Sequence, residues 1–225
     1  QGLYASAMKP FLQIEQWMLV GCDLAPLVQS LPAQEITNEL PANSLNEPAQ
    51  MAIDKGLAFL GKRQLDDGSF STSGYGRNAA VVSLGGMAWL GSGSTPGRGP
   101  HGEQVSRALD FLLDHAEESG FISVAGAMSH GPMYEHGFAT LFLAEVYGMS
   151  PRDDLRDKLV AAIDLIVRTQ NDEGGWRYQP RRADADISVT ICQVMALRAA
   201  RNAGLAVPNE TSEQCVDYVK RCQNV

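Results

Sequence analysis

The chain has 225 residues, 26 of them acidic against 18 Lys and Arg, giving a formal net charge of -8, and 44% are hydrophobic. That balance argues against nucleic acid and anionic membrane surfaces as partners, since both are held largely by Lys and Arg. The apolar content fills a substantial core, yet no stretch nears the roughly 18 apolar residues of a membrane span: the longest, Ala79 to Leu90, is interrupted by Ser83, Gly85 and Gly86.

Residues 1–48 read as a lead-in: a helix over Lys9 to Val20, then an extended connection with Pro32, Pro41 and Pro48 as breakers. Leu19-Val20-Gly21-Cys22 has the letters of a lipoprotein cleavage box, but Gln13, Glu15 and Gln16 spoil the apolar region an export signal needs. The four cysteines form no C-x-x-C pair and fix no compartment, so a soluble chain is expected with export left open.

Residues 49–225 repeat. Ile53 to Leu60, Ala108 to Leu113, Ala162 to Ile166 and Cys215 to Val219 recur at about 53-residue intervals with apolar residues three and four apart. The first three run into acidic residues, a glycine and an aromatic: Gly68 and Phe70, Gly120 and Phe121, Gly174 and Trp176. Glycine there ends a helix by taking the left-handed conformation. Between these amphipathic helices lie Asn78 to Leu90, Tyr134 to Tyr147 and Asp186 to Ala203, apolar on more than one face and carrying small residues. A helix apolar most of the way round is enclosed by neighbours. The expected fold is all-α, an outer and inner layer of stacked hairpins forming a partial α/α-toroid of three to four pairs. The last repeat breaks off at Gln223, which predicts truncation at the C-terminus.

Gln170-x-x-x-Gly174-x-Trp176 matches the QW motif of squalene and oxidosqualene cyclases and related prenyltransferase repeats, and Gln64-x-x-x-Gly68-x-Phe70 repeats it with Phe for Trp. With Met133 to Met149 and Gly174 to Leu197, the chain from Ala49 onward resembles bacterial proteins carrying squalene-cyclase-type repeats. That resemblance implies a structural role for Gln64, Gly68, Phe70, Gln170, Gly174 and Trp176. The physical reading agrees: these residues satisfy exposed helix-end backbone groups and plug the seam between repeats.

Class II terpene cyclases, which the fold resembles, draw a proton from an Asp-x-Asp-Asp motif at an inner-helix start. Asp184-Ala185-Asp186-Ile187 sits at that place with Ile187 where the last Asp would stand. Asp186 and Asp184 are therefore the catalytic candidates, and the competing reading makes one of them a helix cap. Only three Trp are present, few for a cavity that must stabilise carbocations. Taking Asn78, Tyr134 and Asp186 as equivalent helix starts places Tyr134, Glu135 and His136 on a polar rim, with Trp89, Phe138 and Phe142 as its apolar lining. No Asp-x-Cys occurs, so the prenyltransferase zinc set is missing; His130, Glu135 and His136 lack a recognised ligand spacing, and no metal or cofactor is expected. Glu135 and Asp186 are the one pair to consider for carbohydrate chemistry. Gly91 to Gly102 reads as a flexible connection.

The functional expectation is a repeat module that binds an apolar, isoprenoid-like small molecule or a protein partner on its concave face. The alternative is a divergent terpene-cyclase-like or prenyltransferase-like enzyme using Asp186 as acid.

Overall fold

The computed structural model describes residues 46–223. They form seven α-helices: α1 (Glu47–Arg63), α2 (Ala79–Gly91), α3 (Gly102–Asp114), α4 (Pro132–Val146), α5 (Asp153–Thr169), α6 (Ile187–Asn202) and α7 (Asn209–Arg221). Two 3-10 turns lie at Gly74–Arg77 and Tyr147–Met149. Among the described residues the only β-pairing is two isolated bridges, Thr95 with Arg98 and Ala116 with Ile122, so the fold is all-α as expected.

The chain divides into two compact units, Gln1–Phe59 and Leu60–Val225. The described part of the first is the start of α1, where Asn46 Oδ1 accepts from Ala49 N at 2.9 Å and satisfies a first-turn donor. The lead-in helix expected over Lys9 to Val20 lies outside the described residues.

In the second unit α2, α4 and α6 pack side by side, with α4 between the other two. Helix α3 packs on α2, α5 on α4 and α6, and α7 on α6. Helices α3, α5 and α7 bury one stripe each: α3 hides Val105, Ala108, Leu109, Phe111 and Leu112 while Glu103, Asp110 and Asp114 stay in solvent. Each Leu or Phe so covered contributes about 1.5–3 kcal/mol. Helix α4 instead buries eleven of its fifteen residues, because it has neighbours on nearly every side. Small residues set the spacing. A Cβ on Gly86 would lie 2.4 Å from the Phe142 ring, and one on Gly137 would lie 2.8 Å from the Gln193 amide.

The turns after α1, α3 and α5 are built alike. Gly68, Gly120 and Gly174 have φ of +89°, +84° and +93°. Each backs onto a carbonyl of a later helix, α3, α5 or α7, so that a Cβ would lie 2.2 Å from Arg107 O, 2.1 Å from Ala161 O or 2.1 Å from Gln214 O. Two glutamines reinforce the joint. Gln64 Nε2 donates to Gly68 O (3.2 Å) and to Gln104 O in the first turn of α3 (3.0 Å). Gln170 Nε2 donates to Gly174 O (3.0 Å) and to Thr211 O in the first turn of α7 (2.9 Å). Those carbonyls are thereby paired without water.

The middle turn departs from the expected pattern. Leu65 N, Glu117 N and Asn171 N donate to Ser69 O, Phe121 O and Gly175 O, so the residues that follow, Phe70, Ile122 and Trp176, are equivalent. The buried side chain of this turn is Ile122, not Phe121, and Ala116 stands where the other two repeats have Gln.

Candidate functional site

With α2 and α6 on its flanks and α5 behind, α4 leaves four residues half-buried: Pro132 in its first turn, and the line Tyr134, Phe138 and Glu145 at helical spacings of four and seven. Ala80 and Leu84 on α2 continue this strip to one side and Ser188 on α6 to the other. The centre is apolar and both ends are polar.

At the end formed by the helix N-termini, Asp186 caps α6. Its Oδ1 accepts from Ser188 N (2.9 Å), Val189 N (3.1 Å) and Ser188 Oγ (2.6 Å). Its Oδ2 accepts from the Tyr178 hydroxyl at 3.4 Å. The Ser188 hydroxyl bond, with backbone donors behind it, holds the Asp186 carboxyl below the usual carboxylate range. Since Ser188 gives its proton to Asp186, the Tyr134 hydroxyl donates to Ser188 Oγ at 2.5 Å and ties α4 to α6. Tyr178 lies beside Tyr134 with ring centroids 6.1 Å apart. Arg177 stacks over Tyr178 at 4.8 Å and pairs with Asp184 at 2.8 Å. At the far end Glu145 is half-buried; burial raises its pKa, and the Arg198 charge opposes that.

Chemically this is a hydrogen-bonded rim around an apolar strip. Asp186 is held ionised, so it has no proton to give near neutral pH, and its lowered pKa makes it a weak base for Ser188. Asp184 is exposed and engaged with a guanidinium.

Of the residues expected on the rim and its lining, Tyr134 and Phe138 lie on the open strip, whereas Glu135, His136, Trp89 and Phe142 are buried. Glu135 Oε2 accepts from Ala79 N (3.3 Å) and Val124 N (3.1 Å), bonding α4 to α2 and to the preceding loop. His136 Nδ1 accepts from Ile122 N (3.3 Å), which places the proton on Nε2, and that nitrogen donates to Ala162 O of α5 (3.1 Å). Full burial depresses its pKa to about 4, so it is a neutral structural imidazole. Trp89 stacks on Phe70 with centroids 5.9 Å apart, and Phe142 lies against Gly86.

The cause of the misplacement is a register error of two residues. Pro132 begins α4, and the residues before the first helical turns are Asn78, Gly131 and Asp186. Thr190 Oγ1 accepts from Trp176 N as His136 Nδ1 accepts from Ile122 N, which makes those two positions equivalent at a spacing of 54. Tyr134 therefore corresponds to Ser188, its hydrogen-bond partner, and not to Asp186.

His130 lies apart from Glu135 and His136, its Nε2 2.9 Å from the Tyr75 hydroxyl, and no group of three His, Cys, Asp or Glu among the described residues could hold a metal ion. Glu135 turns toward α2 while Asp186 caps α6, so this carboxylate pair does not share a cleft. The thiols of Cys192 and Cys215 are buried and pushed up to about 11 and about 12. Gly91 to Gly102, expected as a flexible span, folds into hydrogen-bonded turns, with Gly97 N donating to Gly102 O and His101 N to Ser94 Oγ. Among the described residues no helix is long and apolar enough to cross a membrane.

Tyr178, Ser188, Arg177, Glu145 and Arg198 were missed by sequence reasoning. Ser188 was within reach, because it lies in the first turn, two residues after the aspartate expected as a helix cap. Glu145 follows from Tyr134 by helical spacing once the register is right. No protein-family model and no curated protein matches this chain.

Proposed function

We propose that this chain is a squalene-cyclase- and prenyltransferase-like repeat module, an arc of the α/α-toroid type, whose inner face binds an apolar, isoprenoid-like small molecule or an apolar segment of a protein partner. The observation that carries this reading is the strip on α4: a helix otherwise buried beyond its first residue leaves Tyr134, Phe138 and Glu145 partly exposed, apolar in the middle and polar at both ends. An elongated amphipathic ligand fits that pattern, its chain along Leu84 and Phe138 and its polar end at Tyr134 and Ser188 or at Glu145. Binding without turnover is favoured because Asp186 spends its carboxylate on the α6 N-terminus, where a protonating enzyme needs a carboxyl kept neutral.

The test is displacement of a fluorescent apolar probe, Nile red, by geranylgeraniol. Phe138→Asp is expected to weaken displacement about tenfold or more, the ~1.4 kcal/mol equivalent of losing one apolar contact surface, with unchanged helical circular dichroism. Displacement that Phe138→Asp leaves untouched refutes the inner-face reading. Conversion of squalene or geranylgeranyl diphosphate that disappears in Asp186→Asn would install the enzymatic alternative instead.

A further inference from the structure

Where the helix N-termini meet the strip, the hydrogen bonds run one way. Asp186 takes two backbone N–H bonds on Oδ1 and, as a carboxylate, can only accept. The Ser188 hydroxyl, 2.6 Å away, therefore spends its proton on Asp186. Tyr134 in turn spends its hydroxyl proton on Ser188 Oγ at 2.5 Å, because Ser188 has no other to give. Tyr178 points its own at Asp186 Oδ2. The amides of Ser188 and Val189 go to Asp186, that of Met133 to Tyr178 O and that of Tyr134 to Gly131 O.

What these side chains keep for a ligand is lone pairs. The Tyr134 oxygen, having donated, can still accept, and Ser188 Oγ can take a bond beyond the one from Tyr134. Asp186 Oδ2 is engaged by Tyr178 only at 3.4 Å. Tyr134 is half-buried and Ser188 exposed, so this acceptor surface opens on the strip. Arg177, the cation beside it, has its charge answered by Asp184 at 2.8 Å and lies over the Tyr178 ring at 4.8 Å.

We infer that this rim selects apolar-chain ligands whose head group donates hydrogen bonds, a hydroxyl or an amine, and rejects carboxylate and phosphate heads. The selection rests on the inner-face reading, with the chain along Leu84 and Phe138 and the head at Tyr134 and Ser188. A donor head extends the hydrogen-bonded row by one member. An acid or phosphate sets lone pairs against lone pairs and a negative charge beside Asp186, and it gives up its own hydration without replacement.

Displacement of Nile red by four ligands sharing one chain tests this: geranylgeraniol, geranylgeranylamine, geranylgeranoic acid and geranylgeranyl monophosphate. The alcohol and the amine are each expected to displace the probe at concentrations about tenfold or more below the acid and the monophosphate. Asp186→Asn keeps an oxygen to cap α6 but brings an N–H2 donor to the rim, so the gap should narrow to about threefold with helical circular dichroism unchanged. An acid or monophosphate that binds as tightly as the alcohol overturns the inference and moves the head to Arg177. An advantage confined to the amine overturns it too, by assigning the selection to charge. A gap that Asp186→Asn leaves intact overturns it by placing the head away from the rim. In each of these cases the inner-face reading survives if Phe138→Asp still weakens all four ligands; if Phe138→Asp weakens none, both fall.

Discussion

Burying His136 ties the stability of the fold to pH. Its ring is fully buried and bonded at both nitrogens, and its pKa falls from 6.5 to about 4. Between those two values the unfolded chain binds a proton that the folded chain refuses, so stability is complete above pH 6.5 and falls as the pH drops toward 4. The full effect is about 3 kcal/mol by linkage. Urea denaturation at a series of pH values should show that loss, and His136→Asn, less stable at neutral pH, should show a shallower slope in the same window. The sequence supplies His136 as a titratable residue at an inner-helix start, but not its burial. A histidine near a glycine-proline turn reads as a rim residue until the two-residue offset introduced by Pro132 is known. Asp186 was more legible, because an aspartate directly before a long apolar helix is a capping signal whatever else it does.

At the scale of elements, the glycine turns carry the joints between hairpins. The spacing of Gly68, Gly120 and Gly174 was readable, and so was a role for Gln64 and Gln170 at helix-end backbone groups, though not which groups they meet. What could not be read was the carbonyl that each glycine faces, since that partner lies about 40 residues further along the chain. The identity of the plug in the middle turn was also hidden. Phe121 is the only aromatic there and attracts the assignment, while backbone pairing delivers Ile122 to the seam. Gly120→Ala should cost about 2–4 kcal/mol, combining a left-handed backbone conformation with a methyl group forced against Ala161 O. Equilibrium denaturation measures this, and Gly126→Ala, at φ +78° with open space around it, isolates the backbone share. A cost at Gly120 no larger than at Gly126 would show that the close approach to α5 is unimportant.

For the second unit as a whole, packing is sequential: α2, α4 and α6 meet in series, α3 packs on α2, α5 on α4 and α6, and α7 on α6. This much followed from a period near 53 and from two kinds of helix alternating. The open line along the inner helices did not, because it depends on which residues of an apolar-all-round helix lack a neighbour, and periodicity says nothing where every face is apolar. Helix α4 touches α2, α5 and α6, whereas the principal contact of α7 is α6 alone. Amide hydrogen exchange in dilute solution should therefore be slowest in α4 and fastest in α7, with α3 and α5 between them. Uniform protection across all the hairpins would contradict a stack held by nearest-neighbour contacts.

The paired turns also bear on how this chain would yield to force. Each glycine joint sets one turn against α3, α5 or α7, and neighbouring hairpins pack further through α2, α4 and α6, so tension applied at the C-terminal end meets the joints one after another. Pulled from Val225, the second unit should peel as a series of small steps, each releasing about 53 residues, instead of rupturing in a single event.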